Sequence, residues 1–208
     1  MRQAYKFLLR LSLIWILLAV VWYILAGTPY GKALVAGANL LFSRNPVNDD
    51  QIHLTYVDPR IEGEIKFDLR SLEDDRRGRG NLQFSLESRR FHFNITIWIA
   101  LLLATPGWKS FRFRLAYCLG GWVLLYFCQA LDLFLQVENY KLQHLQTHEF
   151  LSRYQPPGTG DYLLGSLGKY SYLLGRFVAP LALWLPYAVK AFGAARSPVV
   201  DRRRRNSP

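Results

Sequence analysis

Two ionisable residues, Asp132 and Arg176, lie inside long apolar runs of this 208-residue chain. Ionisable groups within a membrane are costly and usually face protein or water rather than lipid. If the two runs are successive transmembrane helices, both charges lie about 8–9 Å inside the outer helix ends at the helical rise. We therefore predict a structural ion pair between the two helices, and we prefer this role to a catalytic or transport role.

Two histidines, His144 and His148, are four residues apart in the segment YKLQHLQTHEF. This spacing places both side chains on one face of a helix. A zinc site needs a third protein ligand, and the neighbouring Glu149 points to another side of such a helix. We interpret the segment as a solvated outer helix, with the two histidines only as weak metal candidates, and we expect no cofactor.

The two cysteines, Cys118 and Cys128, do not suggest a nucleophile or a disulfide. They are ten residues apart in one apolar run, which separates them by about 15 Å along a helix. This distance is too long for a disulfide bond. The chain also has no G-x-S-x-G motif, so the sequence indicates no nucleophilic catalysis.

A basic group, Arg89, Arg90 and His92, directly precedes the second apolar run. Such residues bind lipid phosphate or the acidic segment of a partner protein. They also serve as simple interfacial anchors for a transmembrane helix, which is their usual role. The sequence leaves these interpretations open.

The charge of the chain is distributed very unevenly. Residues 28–92 hold ten Lys or Arg and ten Asp or Glu, whereas the other residues hold sixteen and five. The other residues therefore carry the whole net charge of +11. Because their basic residues flank apolar runs, the pattern indicates membrane orientation rather than nucleic-acid binding, which would need a basic soluble face. We predict an integral protein of the lipid bilayer with no nucleic-acid partner.

Four apolar runs predict transmembrane helices at residues 11–27, 93–108, 115–137 and 170–192. A cleaved signal peptide is the alternative for the first run. Its length and its Trp22-Tyr23 end favour an uncleaved anchor, because aromatic residues concentrate at membrane interfaces.

Basic residues mark the same side of the membrane in three separate segments: the N-terminus 1–10, the loop 109–114 and the tail 193–208. The positive-inside rule makes this side cytoplasmic. The insert 28–92 and the loop 138–169 then face outward. We predict a multi-pass protein of the inner membrane with both termini in the cytoplasm.

The insert combines two periodicities. Residues 30–42 have apolar residues at helical spacing, which predicts a short interfacial helix. Alternation of apolar and polar residues predicts strands around Ile65–Leu69 and Leu82–Leu86, with a weaker third strand at Ile52–Val57. A polar turn is expected at 73–80.

A sheet of roughly forty residues is too small to form a robust core alone. It must therefore pack on the membrane surface, on the helix at 30–42, on the outer loop or on a partner protein, and packing on its own helices would meet the same need. The expected fold is a mainly α-helical membrane protein, a four-helix transmembrane bundle with a small antiparallel β-rich insert between the first two spans.

Three segments resemble the exosortase H-associated membrane proteins: ILLAVVWYILAGTPY at 16–30, FHFNITIWIALLLATP at 91–106 and RFVAPLALWLP at 176–186. The resemblance implies an accessory partner of a membrane-embedded sorting protease that acts on exported proteins. The protease itself needs a reactive cysteine with Arg and His partners, and Cys118 and Cys128 have no such neighbours in the sequence.

The sequence therefore predicts a non-catalytic membrane accessory protein with an exosortase-like protease as its partner. The alternative is a small membrane enzyme, or a lipid- or solute-handling protein, that uses Asp132 and Arg176.

Overall fold

The computed structural model describes residues 2–44, 51–70, 77–105, 111–147, 158–173 and 178–196. Six helices and three strands lie within these ranges. In chain order they are α1 (Arg2–Leu25), α2 (Gly27–Ser43), β1 (Gln51–Val57), β2 (Arg60–Arg70), β3 (Arg77–Glu87), α3 (Arg89–Ala104), α4 (Phe111–Thr147), α5 (Thr159–Leu173) and α6 (Ala179–Arg196). The fold class is therefore mainly helical with a small antiparallel sheet.

Helix α1 presents apolar side chains outward over most of its length. Leu13, Leu17, Val20 and Ile24 are more than half exposed. Its contact with α3 centres on Trp15, whose indole Nε1 donates to Thr96 Oγ1 at 3.2 Å. A helix with this much exposed apolar surface requires an apolar solvent, and the lipid hydrocarbon provides one.

Two of the described helices are long and apolar enough to cross a membrane, Tyr5–Leu25 and Phe111–His144. A third apolar stretch, Phe91–Ala104, is shorter. The predicted fourth span at 170–192 covers the end of α5 and most of α6, and its residues 174–177 lie outside the described part of the chain.

The sheet has the strand order β1-β2-β3, with both pairs antiparallel, as the alternation in the sequence predicts. The predicted turn at 73–80 is too long, because Arg77–Gly80 already belong to β3 and pair with the end of β2. Polar and glycine residues there suggested a turn, but a strand edge also accepts them.

The apolar face of the sheet packs on α2, which contains the predicted helix at 30–42, and on α4. Strand residues Ile61, Ile65 and Phe84 lie in one core with Leu34 of α2 and Leu133 of α4. The predicted helix at 30–42 is present as part of α2. A further bond comes from Asn39 of α2, whose side-chain amide exchanges two hydrogen bonds of 2.9 Å with the backbone of Leu54 in β1.

A second core joins α3, α4 and α6. Trp98, Leu102 and Leu125 are buried there, together with Tyr187 of α6. This core connects the helices at the end of the molecule away from the sheet.

Helix α4 has 37 residues and continues ten residues beyond Val137, where the predicted third span ends. Leu142 and Lys141 in this extension are buried. The segment 138–147 is therefore an extension of α4 that packs on α5 and on the sheet. The polar residues of this segment predicted a helix surrounded by solvent. The burial of Lys141 shows instead that one face of this helix packs inside the protein.

Candidate functional site

Asp132 is buried between α4 and α5. Its carboxylate accepts from two side chains: Ser171 Oγ donates to Oδ1 at 2.6 Å, and Gln136 Nε2 donates to Oδ2 at 2.9 Å. Both oxygens are thus hydrogen-bonded within the protein. Arg176 lies outside the described residues, so its ion pair with Asp132 stays a prediction. Ser171 precedes Arg176 by five positions.

The change Asp132→Asn is expected to destabilise the α4–α5 contact. An amide forms weaker hydrogen bonds than a carboxylate, and a poorly paired buried group costs about 1–3 kcal/mol. If Arg176 is the predicted counter-ion, the loss rises to about 3–5 kcal/mol, because its charge stays buried without a partner. Reversible unfolding in detergent of Asp132→Asn, Arg176→Gln and the double variant measures the coupling. If stability and assembly do not change in Asp132→Asn, Asp132 has no structural role between the two helices.

A buried ion pair ties α4 to the start of α5. Lys141 Nζ lies 3.2 Å from Asp161 Oδ1, and the two side chains are 2% and 18% exposed. Asp161 Oδ2 also accepts from the backbone N–H of Gly158 at 2.9 Å. The sequence interpretation missed this pair because it assigned residues 138–169 to a loop. Asp161 itself could have indicated that a helix starts here, because acidic residues are favoured in the first turn of a helix.

Close approach of α4 and α5 depends on two glycines. A β-carbon on Gly168 would overlap the Leu135 carbonyl oxygen and lie 2.7 Å from its carbonyl carbon. A β-carbon on Gly165 would lie 2.9 Å from Leu142 Cβ. Small residues at a helix interface allow the two helix backbones to approach closely. With Asp132 and Lys141, they make this interface both tight and polar.

Aromatic and polar side chains of four helices meet near the start of α3. The Tyr30 hydroxyl of α2 donates to Gln129 Oε1 of α4. The Tyr30 ring makes edge contacts with Trp22 of α1 and His92 of α3, at centroid distances of 5.5 Å and 5.6 Å. Burial, with a smaller effect of the neighbouring Tyr126, raises the pKa of Tyr30. The hydroxyl therefore keeps its proton and remains a donor to Gln129.

His92 belongs to this cluster rather than to an exposed surface. It is 7% exposed, and its Nδ1 accepts from Trp22 Nε1 at 3.2 Å. Accepting at Nδ1 requires the neutral tautomer with the proton on Nε2. The structure thus places His92 between helices. The expectation that it contacts lipid or a partner rested only on its position before the second apolar run, and its burial does not suit such a contact. For Arg89 and Arg90 the structure describes the backbone only, in the first turn of α3.

The turn between β1 and β2 is also attached to the helices. Thr28 Oγ1 at the start of α2 donates to Asp58 Oδ2 at 3.0 Å, and the Tyr56 hydroxyl donates to Asp58 Oδ1 at 3.3 Å. Ser88, just before α3, donates through Oγ to the Pro59 carbonyl at 2.7 Å. The turn is therefore held at both junctions of the sheet with the helices.

The outer face of the sheet is polar and contains an open depression of about 540 Å³. Its lining residues are His53, Thr55, Glu62, Gly63, Glu64, Gln83, Phe84 and Ser85. Glu64 accepts from Asn81 Nδ2 at 2.6 Å and lies 3.6 Å from Lys66 Nζ. This face can offer hydrogen-bond acceptors and carboxylates to another molecule.

No group of three or more His, Cys, Asp or Glu in the described ranges is arranged to hold a metal ion. His144 stacks on Tyr140 at a centroid distance of 6.5 Å, and His148 lies outside the described residues. Cys118 and Cys128 are both free thiols on α4.

An exposed apolar helix (α1), a second long apolar helix (α4) and a sheet packed on α2 and α4 define a helical membrane protein with a small β-rich unit. Residues 1–190 match the exosortase H-associated membrane protein family. The chain belongs to this family, and the resemblance seen in the sequence is confirmed. No curated protein and no solved structure matches the chain.

Proposed function

We propose that this protein is a non-catalytic accessory of an exosortase-type membrane protease in the sorting of exported proteins. Membership of the exosortase H-associated family supports an association of this kind. The observation that carries the proposal is the way in which the sheet is built into the helices. Its apolar face shares one core with α2 and α4, so its polar face is presented on a rigid support.

Rigid support matters because a preorganised surface loses less conformational entropy when a partner binds. Three separate attachments hold the sheet: the shared core, the Asn39 amide on Leu54, and the Asp58 turn on Thr28. The core involves all three strands, the Asn39 amide holds β1, and the Thr28 hydroxyl holds the turn between β1 and β2. A contact made on the outer face is therefore transmitted to the helices without a flexible linker.

In the membrane we propose four spans at residues 11–27, 93–108, 115–137 and 170–192, within an inner membrane. The three basic segments would then lie in the cytoplasm with both termini. The sheet would lie on the opposite side, where exported proteins arrive. The exposed apolar side chains of α1 and the length of α4 support the first and third of these spans.

The polar surroundings of Asp132 favour an accessory over an enzyme that uses this carboxylate. Both of its oxygens accept hydrogen bonds from the protein's own Ser171 and Gln136. A general acid or base needs to reach a substrate proton. Asp132 is instead engaged in holding α4 to α5, as an architectural residue is.

Recovery of the tagged protein from membranes in mild detergent tests the proposal. We expect a membrane protease of the exosortase type in near-stoichiometric amount. The change Glu62→Lys on the exposed outer face should lower its recovery several-fold, whereas Lys32→Glu on the exposed side of α2 should not. Both variants should reach the membrane in wild-type amount. A chain that is recovered alone, or that has hydrolytic activity by itself, contradicts the proposal.

A further inference from the structure

Hydrogen bonds from two indole groups hold α1 to α3. Trp15 Nε1 donates to Thr96 Oγ1, and Trp22 Nε1 donates to His92 Nδ1, both at 3.2 Å. The structure describes the whole of the segment Tyr5–Leu25, and no residue in it is buried. Because this segment is nowhere buried, the two bonds make up an important part of its contact with α3.

The two bonds respond differently to acid. The Thr96 hydroxyl accepts a hydrogen bond at any pH, whereas His92 accepts one only while its imidazole is neutral. A protonated histidine has an N–H on both ring nitrogens and no acceptor, and the indole of Trp22 is a donor only. Protonation therefore sets two N–H groups against each other, and no orientation of the ring restores the bond.

The groups that contact His92 are neutral. Trp22 of α1 and Tyr30 of α2 both lie against its ring, and behind Tyr30 its hydrogen-bond partner Gln129 of α4 is uncharged. His92 itself is 7% exposed. A charge on the ring would thus be buried among groups that do not balance it, which is costly.

Charged groups further from the ring act in both directions. Burial lowers the pKa of His92, and the charge of Asp58 in the turn between β1 and β2 opposes this with a smaller effect. Both oxygens of Asp58 already accept from other side chains. On α3 itself, Arg89 and Arg90 precede His92 within one helical turn, and like charges disfavour the protonated form.

We propose that Trp22 and His92 form a pH-sensitive latch, which opens when His92 takes up a proton and lets the C-terminal end of α1 separate from α3. The separation admits water, which hydrates the new charge. The rest of α1 stays attached, because the bond from Trp15 to Thr96 does not titrate and the ring of Phe7 stacks on Trp184 of α6 at a centroid distance of 6.2 Å.

The lowered pKa of His92 fixes the direction of the pH dependence. A histidine in the unfolded chain titrates near about pH 6.5, and in the folded chain His92 titrates below that value. The stability that the closed latch provides is therefore complete above about pH 6.5 and is lost as the pH falls through the lower, folded pKa. The orientation given under the proposed function places His92 at the outer membrane surface, so acid outside the membrane would open the latch.

Distances between pairs of spin labels test the latch in the purified chain, with its two native cysteines replaced by alanine. One pair, Leu25→Cys with Leu163→Cys, reports on the C-terminal end of α1 relative to α5. The other pair, Leu9→Cys with Leu185→Cys, reports on the part of α1 that stays attached, and all four positions are exposed. When the pH falls from about 8 to about 5, the range in which histidine titrates, we expect the first distance distribution to shift and the second to stay. A shift of both distributions, or of neither, would overturn the proposal.

Two matched histidine variants assign the shift to His92. In His92→Asn the side-chain oxygen takes the place of Nδ1 and accepts from Trp22 at every pH, so we expect the closed distribution in acid as well. The same change at His53, which is exposed on β1, should leave the acid shift of the wild type intact. An acid shift in His92→Asn as large as that of the wild type contradicts the latch.

Trp22→Phe tests the donor side of the bond. It keeps an aromatic ring beside Tyr30 but has no N–H, so the C-terminal end of α1 should show the acid distribution already at neutral pH. The closed distribution in this variant at neutral pH would show that the bond does not hold α1. None of these samples contains the protease, so failure of the latch and failure of protease recovery are separate results.

Discussion

Replacement of Gly168 by leucine should separate α5 from α4 and destabilise the protein by about 3 kcal/mol, the upper end of the usual cost of overpacking. The obstacle is backbone, since the first side-chain atom would overlap the Leu135 carbonyl oxygen. A carbonyl oxygen within a helix cannot rotate away as a side chain does. The helices must therefore move apart, and the hydrogen bond from Ser171 to Asp132 is lost with their contact.

The same substitution at Gly120 provides the matched control. Gly120 lies on α4, and a β-carbon there would meet nothing within 4 Å. Leucine favours helix over glycine by up to about 1 kcal/mol, so Gly120→Leu should be neutral or slightly stabilising. Thermal unfolding of the two variants in the same detergent measures the difference. Equal stability of Gly168→Leu and Gly120→Leu would show that close helix approach is not needed.

Loss of the Lys141 ammonium is the second large effect that we expect. Lys141→Met keeps the length of the side chain and leaves the Asp161 carboxylate, only 18% exposed, without its counter-charge. Removal of one partner from a buried ion pair costs about 3–5 kcal/mol. Asp161 keeps its hydrogen bond from the Gly158 N–H in this variant. We therefore expect a loss of unfolding free energy near the lower limit of this range.

Two further variants separate the ion pair from simple packing. Lys169→Met changes an exposed lysine on α5 and should alter stability by no more than about 0.5 kcal/mol. The double variant Lys141→Met, Asp161→Leu removes both charges and should recover much of the stability, since paired apolar groups replace buried ions at little cost. If the double variant is as unstable as the sum of the single changes, the two residues do not interact.

The sheet was predictable because its signal is local. Alternation around Ile65 and Leu82 requires one apolar and one polar face whatever covers them. The start of β3 was missed because Gly78 and Gly80 resemble turn residues, and only pairing with β2 shows that they extend the strand.

The end of α4 shows the opposite case. The apolar run ends at Val137, because the next residues include the charged Glu138 and Lys141. The helix continues because these polar residues find partners or burial against α5 and the sheet. An apolar window measures compatibility with lipid and therefore cannot detect a helix whose polar face is covered by protein.

The sequence by itself determined the membrane character of the chain, its family and the small antiparallel sheet. These features depend on the residue types, the periodicity and the charge of short segments. Their effect does not depend on where the segment lies in the folded protein. Only the tertiary structure decided that Asp132 bonds Ser171 and Gln136, and that His92 lies against Trp22 and Tyr30. Trp22 and His92 are 70 positions apart, and Tyr30 and Gln129 are 99 apart. Such contacts depend on which helix faces meet in space, and no local pattern contains that information.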